Sequence, residues 1–394
     1  MDTRLYCVVF FLLCLCGTSS GQGRQDSRAN EVVKPLLLAH YMPWYTAQPA
    51  SDQWGWHWTM NHFSPQRMKD GKNEIASHFY PMVGAYDSGD VDVLEYHLLT
   101  MKIAGIDGVI VDWYGLTKLN DYALLHENTY RLLQQCERLK MKFVICYEDQ
   151  TLAALIEAKR LDQKDRVSHV VEEINWLGKY WFKSPSYVRF NRKPVLLSFG
   201  HAGLNDGEWQ QVLDRVGSPV AYYSQGYRRP GAVGGFGWPV PQEGLEHNER
   251  FLKAAGEWSD TIPVAFPRFM DIYKEAGIGD GYPTISDDDG RTFRATFESA
   301  LELNSRIVQI ATWNDWGEGT QVEPSEEFGY RDLEVIQSRV KQMGGSTFNP
   351  DDLAIPLKIL KIRRSGASSE DVSKIVELVC KGKLDEARAL FKTH

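Results

Sequence analysis

The chain has 394 residues, with 44 basic and 52 acidic side chains and a formal net charge of −8. Hydrophobic residues make up 43% and charged residues 24% of the chain, a balance typical of a folded globular protein and not of a disordered one. A mildly acidic chain lacks the basic surface that binds phosphate backbones, so the composition argues against nucleic-acid binding.

The first residues have the layout of a secretory signal peptide. An apolar stretch over 8–16 follows Arg4, and small residues occupy 17–21. About ten apolar residues are too few for a transmembrane helix, which needs about 20. We therefore expect residues 1–21 to be a signal peptide and the mature protein to be secreted (extracellular, periplasmic or in the secretory pathway), with no membrane attachment. A lipoprotein anchor at Cys16 is the minor alternative, because residue 15 is a leucine where a small residue is expected.

Three cysteines remain after this leader, and their number and spacing limit their roles. They are Cys136, Cys146 and Cys380, with no Cys-x-x-Cys among them. An odd number without that spacing favours neither a disulfide framework nor a zinc ribbon. Cys146 lies in an apolar run and is expected to be a small core residue.

After a polar linker over 22–34, short apolar runs alternate with longer segments of helical periodicity. The apolar runs, which we predict to be strands, are 36–45, 106–114, 142–148, 194–199, 219–224, 233–239, 261–266 and 307–313. The predicted helices between them are 91–104, 122–139, 167–182, 208–216, 243–255 and 293–303.

This alternation, repeated about eight times, predicts an α/β fold, a (β/α)8 TIM barrel over residues 35–345. The strands are continuously apolar, as parallel strands covered on both faces should be. A doubly wound open sheet is the alternative, and the chain has no GxGxxG or GxxxxGK[ST] motif to support it. Residues 346–394 are predicted to form a C-terminal helical appendage, with amphipathic helices at 353–362 and 372–391.

Carboxylates and aromatic side chains accumulate where the predicted strands end, which is where a barrel of this kind places its active site. Sugars present C–H bonds to aromatic faces and hydroxyls to carboxylates, so this mixture predicts a carbohydrate cleft. For Asp112 and Glu148 a buried structural role is an equal alternative. The expected sugar-contacting residues are Tyr41, Trp44, Tyr45, His57, Asp112, Trp113, Tyr114, Glu148, Trp313, Asn314 and Trp316.

Asp315 and Glu318 are the strongest catalytic candidates. They lie three residues apart on an irregular turn after the last predicted strand, and Gly317 and Gly319 give that turn the backbone freedom to direct both side chains into the cleft. Cleaving a glycosidic bond needs one acid to protonate the leaving oxygen and a second carboxylate. An isolated Asp-x-x-Glu is usually a solvated loop, but the flanking tryptophans and the position after a strand favour catalysis here.

The segment Trp-Asn-Asp-Trp-Gly-Glu-Gly-Thr-Gln-Val-Glu at 313–323 resembles the motif of glycoside hydrolase family 99 and its 99-like relatives. The segments 40–45, 54–58 and 79–90 also resemble that family, in the same order along residues 36–330. Its members are (β/α)8-barrel, endo-acting α-mannosidases that use two glutamates three apart in this loop, without a metal. The resemblance implies a secreted hydrolase of an α-linked polysaccharide that needs no cofactor or metal.

The same resemblance implies a role for each acid. Glu318 takes the place of the acid/base at the glycosidic oxygen, and Asp315 takes the place of the residue that deprotonates the sugar's own 2-hydroxyl. Asp315 is one methylene shorter than the family's glutamate, and Gly317 stands where the family has histidine.

The Asn-Asp-x-Gly-Glu pattern also resembles glycoside hydrolase family 71, which contains secreted α-1,3-glucanases with a proposed Asp/Glu pair. By that resemblance Asp315 is a base that activates water in an inverting reaction, and Glu318 is again the acid. The substrate is thus α-mannan or α-1,3-glucan. Two alternatives remain open: a carbohydrate-binding pseudoenzyme on the same barrel, and a metal-dependent hydrolase that uses Asp112, His40 or His57.

Overall fold

Eight parallel strands form the centre of the computed structural model, which describes residues 34–345, 348–366 and 369–391. The predicted signal peptide and all but the last residue of the predicted linker lie outside the described residues. The strands are β1 (Leu36–Tyr41), β2 (Gly108–Trp113), β3 (Lys142–Glu148), β4 (Lys193–Phe199), β5 (Ala221–Gln225), β6 (Gly234–Phe236), β7 (Val264–Ala265) and β8 (Ile307–Ile310).

The strand order is β7-β8-β1-β2-β3-β4-β5-β6, so every neighbour in the sheet is also a neighbour in the chain, apart from the β8–β1 pair. A parallel bridge between Phe236 of β6 and Ile262, just before β7, joins the two ends of the sheet. The result is the parallel eight-stranded barrel that the alternation predicted. Two short antiparallel pairings lie outside it: Met68–Lys69 with Lys72–Asn73, and Arg189–Phe190 with β4.

Helices surround the barrel and continue beyond it. They are α1 (Trp56–Thr59), α2 (Val91–Ala104), α3 (Tyr122–Leu139), α4 (Thr151–Glu157), α5 (Arg166–Lys179), α6 (Asp206–Arg215), α7 (Gly244–Ala255), α8 (Arg291–Glu302), α9 (Arg331–Gln342), α10 (Ile355–Arg364), α11 (Ser369–Cys380) and α12 (Leu384–Phe391). Single 3₁₀ turns occur at Gln163–Asp165, Trp181–Lys183, Asp288–Gly290 and Pro350–Ala354. Among the helices that the structure describes, none has the length and hydropathy needed to span a bilayer.

The helical prediction was correct for α2 and α3 to the residue. It missed α1, α4 and α9, and it joined α11 and α12 into one helix. Helix α9 carries only a few apolar residues, and the periodicity reading missed it. The predicted helix 372–391 is two helices, α11 and α12, because Gly382 between them adopts a φ of +71°, which ends a right-handed helix.

Strand residues alternate between the barrel interior and the helix layer, and this alternation decides which polar residues reach the site. On β2, Val109, Val111 and Trp113 belong to the buried cluster between barrel and helices, whereas Ile110 belongs to the cluster inside the barrel. Asp112 therefore faces inward.

The C-terminal helices pack on α2 and share its core. Ile359 of α10 and Ile375 of α11 lie in the same buried cluster as Leu98 of α2. Arg363 Nε pairs with Glu95 Oε1 of α2 at 2.7 Å. These contacts attach the appendage on the outer side of the barrel, so it does not contribute to the cavity described below.

Candidate active site

A cavity of about 280 Å³ lies at the carboxyl ends of the strands. His40 enters it from β1, Asp112 from β2 and Glu148 from β3, and the loop after β8 contributes Asp315 and Glu318. Eight of the predicted site residues line this cavity: Trp44, Tyr45, His57, Asp112, Tyr114, Glu148, Asp315 and Glu318. The structure thus brings both predicted catalytic acids into one cavity with six of the predicted sugar contacts.

The turn that carries the two acids is held by its own hydrogen bonds and by Gly319. The backbone N–H of Glu318 donates to Asp315 Oδ1 at 3.1 Å, and the N–H of Asp315 donates to Thr312 Oγ1 at 2.8 Å. Gly319 has a φ of +68°, and a Cβ there would lie 2.6 Å from the Met270 carbonyl oxygen. Only glycine fits that position, so the close approach of the Met270 loop depends on it.

Asn314 and Trp316 support the turn from behind and do not line the cavity. Asn314 clamps the backbone of Met42: its Oδ1 accepts from the N–H at 2.8 Å, and its Nδ2 donates to the carbonyl at 2.9 Å. Trp316 Nε1 donates to Glu323 Oε2 at 3.1 Å, and Glu323 is only 2% exposed. Tyr86 OH donates to the same oxygen at 2.8 Å. Glu323 therefore anchors the turn within the protein interior.

Tyr41, Trp113 and Trp313 also lie outside the cavity, in the core between barrel and helices. Tyr41 OH is 2.9 Å from His97 Nδ1, and Trp113 Nε1 donates to His126 Nδ1 at 3.2 Å. For these three residues, and for Asn314 and Trp316, the sequence-based assignment to the sugar-binding surface does not match their positions in the structure. The reason for Tyr41 and Trp113 is strand alternation, because each follows an inward-facing residue by one position.

The two acids have pKa values raised to different extents. Burial raises the pKa of Asp315 to about 7, against hydrogen bonds from the Glu318 and Gly317 backbone that lower it. Burial, followed by the nearby charge of Asp315, raises the pKa of Glu318 well above its ordinary value. Tyr273 OH donates to Glu318 Oε1 at 3.2 Å. Because the two pKa values are raised to different extents, one acid can keep its proton while the other is ionised, as a general acid and a base require.

The floor of the cavity contains further titratable groups held largely in their neutral forms. Burial raises the pKa of Asp112 to about 8 and that of Glu148 well above its usual range. Burial lowers the pKa of His40 to about 4. Asp112 Oδ1 and His40 Nε2 have no hydrogen-bond partner within the described part of the chain. Both are thus buried polar atoms whose hydrogen-bonding capacity the described protein residues leave unused.

Aromatic side chains form the walls. Trp44 stacks on His57 with ring centroids 4.2 Å apart and an interplanar angle of 6°. Trp56 is 42% exposed at the opening, and Trp238 contacts the His40 ring edge-on at 4.8 Å. Flat faces beside carboxyl groups suit a pyranose ring.

Sequence reasoning missed several cavity residues, chiefly Tyr273, Trp238 and Phe199. Tyr273 is 45 positions from the acid it contacts and lies in a loop without a recognisable motif. Phe199 is the last residue of β4, so the strand-end criterion applied there would have found it.

Two tryptophan variants distinguish a residue of the cavity wall from a residue of the core. We expect Trp44→Ala to raise KM about tenfold, because an aromatic contact with sugar contributes about 1–1.5 kcal/mol. We expect Trp113→Ala to lower the free energy of unfolding by about 3 kcal/mol through a core cavity, and to leave KM unchanged. Steady-state kinetics and urea unfolding measure the two effects. A larger KM change for Trp113→Ala than for Trp44→Ala would contradict the placement.

Comparisons with known proteins agree with this geometry. The family model described as "Glycosyl hydrolase family 99" matches residues 33–225, and one described as "Glycosyltransferase WbsX" matches residues 286–336. A Rattus norvegicus protein named "Glycoprotein endo-alpha-1,2-mannosidase" is 34% identical over 346 residues, covering 75% of this chain and 71% of that protein. The Mus musculus protein of the same name is 22% identical over 339 residues, covering 74% and 69%.

Among solved structures, the GH99 endo-alpha-mannosidase from Bacteroides thetaiotaomicron superposes with a TM-score of 0.58 at 18% identity. The match covers 82% of this chain and 98% of that one. At this identity the likeness supports the barrel fold.

Proposed function

Because the chain belongs to glycoside hydrolase family 99, and is thus a glycoside hydrolase, we propose that it cleaves α-mannosidic bonds within a glycan chain. The observation that carries this proposal is the pair of acids, Asp315 and Glu318, on one turn of an aromatic cavity with pKa values raised to different extents. The names of the rat and mouse relatives support mannose as the sugar.

In the proposed reaction Glu318 is the general acid. It gives its proton to the glycosidic oxygen as the bond from that oxygen to C1 breaks, so the leaving sugar departs as a neutral alcohol. The hydrogen bond from Tyr273 OH to Oε1 holds the Glu318 carboxyl in one orientation. In a two-step reaction Glu318 regains a proton from the water that adds to C1 in the second step, and in a one-step reaction, where Asp315 takes the proton of that water, Glu318 is reprotonated from solvent.

Asp315 is the base in the proposed reaction. It accepts a proton either from the 2-hydroxyl of the sugar or from water. If it takes the proton of the sugar's 2-hydroxyl, that oxygen attacks C1 first and water attacks second, so two inversions retain the anomeric configuration. If it takes a proton from water, a single attack inverts the configuration. The anomer of the first-formed product therefore identifies the route.

A panel of oligosaccharides tests the proposal. Purified protein is incubated with α-1,2-linked and α-1,6-linked mannans and with α-1,3-glucan, and proton NMR follows product size and anomer. We expect internal cleavage of an α-mannan and little action on the glucan. Preferential cleavage of α-1,3-glucan would contradict the mannose assignment while leaving the roles of the acids in place.

A second candidate, a carbohydrate-binding protein without turnover, is favoured by one observation: Asp315 is shorter than the glutamate of the resembled motif. In that case the aromatic walls bind sugar, but the base does not reach it. Release of reducing ends from any α-glycan in the panel would exclude this candidate. Calorimetric binding with no release would support it.

The N-terminal apolar stretch supports a proposed location in the secretory pathway. Expression of the full chain with a C-terminal tag, followed by N-terminal sequencing of the tagged product, tests it. A mature N-terminus near residue 22 is expected, and an intact Met1 would contradict the proposal.

The pKa values of the two acids predict the pH dependence of the reaction. Asp315 must be ionised to act as a base, so kcat/KM should fall up to tenfold per pH unit below about 7, the pKa to which burial raises this group. Glu318 must be protonated, so the rate should fall again at higher pH, above the range in which a glutamate ordinarily titrates, because burial raises its pKa. A rate profile that is flat from pH 5 to pH 7 would show that Asp315 titrates at its ordinary value and would contradict this prediction.

A further inference from the structure

Three side chains of different chemistry converge below the two catalytic acids. His40, Asp112 and Cys146 come from β1, β2 and β3, and their nearest donor atoms all lie within 4.8 Å of one another. Asp112 and Cys146 are direct partners in the β2–β3 register. His40 and Cys146 are fully buried and Asp112 is 4% exposed. We refer to these three residues as the floor cluster.

The hydrogen bonds around His40 define its free nitrogen. Gln309 Nε2 donates to the Gly237 carbonyl at 2.9 Å, so Gln309 Oε1 is the atom that lies 3.3 Å from His40 Nδ1. Because an amide oxygen accepts hydrogen bonds, Nδ1 carries the ring hydrogen and Nε2 carries a lone pair. Nε2 has no protein partner within the described ranges. A histidine whose second nitrogen is fixed in this way is prepared as a metal ligand.

The carboxyl group of Asp112 is also incompletely satisfied. Its Oδ1 has no hydrogen-bond partner among the residues described, although the side chain is buried. Buried polar atoms are normally paired, because leaving one unpaired costs free energy. An imidazole nitrogen, a carboxylate oxygen and a thiol together form a donor set of zinc, whereas calcium and magnesium take oxygen ligands.

We propose that the floor cluster binds a divalent zinc ion through His40 Nε2, Asp112 and Cys146 Sγ, with its fourth position open to the cavity. Bond lengths of about 2.0–2.3 Å place ligand atoms about 3.3–3.8 Å apart around tetrahedral zinc. Side-chain movements of about 1 Å close the cluster around the ion. As the ion binds, the proton of the Cys146 thiol and the proton of the Asp112 carboxyl pass to solvent.

The position of the cluster gives zinc binding a consequence for glycan binding. His40 and Asp112 also line the cavity, whereas Cys146 does not. An ion held there places a charge and a water ligand where the sugar must lie, so zinc is a reversible competitive inhibitor. The ion is not a cofactor of the hydrolysis proposed above.

Cobalt substitution tests the site without any measurement of turnover. The wild-type protein loaded with Co²⁺ is expected to show a near-ultraviolet thiolate-to-cobalt band together with visible bands of a tetrahedral ion. Cys146→Ala should lose the thiolate band and bind zinc at least about tenfold more weakly in competition with a chromophoric chelator. Cys136→Ala is the matched control, because Cys136 is an equally buried thiol in the helix layer. It should retain both properties.

The absence of a thiolate band in the wild-type protein would overturn the proposal, and this measurement stands even if Cys146→Ala does not fold. Equal zinc affinity in wild type and a folded Cys146→Ala would also overturn it.

Zinc should raise KM at constant kcat in wild type and have no such effect in Cys146→Ala, and a chelator should restore the original KM. Loss of hydrolysis on chelation would overturn the inhibitory role. A cobalt band in a protein that cleaves no glycan would leave the zinc site standing and contradict only the proposed function.

Discussion

Replacing Glu318 by glutamine is expected to lower kcat on a natural glycan by about 10⁴-fold, since a positioned general acid contributes up to about that factor. The amide keeps the volume of the side chain and the hydrogen bond from Tyr273, but it has no proton to give to the glycosidic oxygen. The melting temperature should not fall, because burial favours the uncharged form of this carboxyl and the amide that replaces it is also uncharged.

A second substrate tests whether Glu318 acts as a proton donor. The activity lost in Glu318→Gln should be much smaller on an aryl glycoside whose leaving group departs without protonation. Glu302→Gln, at the exposed end of α8, is the control and should retain wild-type kinetics. An equal loss on both substrates would assign Glu318 to binding or folding instead of proton donation.

Replacing Asp315 by asparagine is the second large effect, a fall in kcat of about 10³-fold. Asparagine retains an oxygen that accepts the Glu318 N–H, so the turn keeps its hydrogen bond at 3.1 Å. The variant lacks only a group that accepts a proton, which removes the base from either route. The acidic limb of the pH profile should disappear with it, because Asp315 is the group that titrates at about 7.

Asp315→Glu is the matched variant that preserves the charge. This variant has the glutamate of the resembled motif. Asp315 is only 6% exposed, so the longer side chain must fit a buried position. We nevertheless expect Asp315→Glu to retain more activity than Asp315→Asn. If asparagine and glutamate were equally damaging, the shape of the turn and not its charge would be the essential property. If neither variant differed from wild type, Asp315 would not be the base.

The catalytic turn was predictable because its information is local. Asp315 and Glu318 lie within one short loop, and Gly319 permits the backbone conformation that the loop needs whatever surrounds it. The alternation of strands and helices is similarly local, and it identified the barrel as well as α2 and α3 with their observed bounds. It failed at α9, a helix with only a few apolar residues, and at Gly382, where a single left-handed residue ends the helix.

The sequence did not show in the same way whether a strand residue points into the barrel or toward the helices. A strand covered on both sides is apolar at every position, so its sequence does not reveal which residues point inward. Asp112 and Trp113 are chain neighbours, yet one lies in the cavity and the other in the helix layer. The sequence suggested sugar contacts for both, and the packing of helices against the barrel separated them.

The three-dimensional fold also decided which residues from distant parts of the chain come into contact. The amino-acid pattern alone established the order of strands and helices, the apolar character of the barrel and the acidic turn, since each depends on residues near one another in the chain. Backbone hydrogen bonds from Met270 to Glu318 and from Ile272 to Gly317 brought the loop of Tyr273 to the acidic turn, and strand register brought His40 and Asp112 to Cys146. These contacts depend on backbone hydrogen bonds between segments that are far apart in the chain. The sequence of each segment does not show how it aligns with its partner.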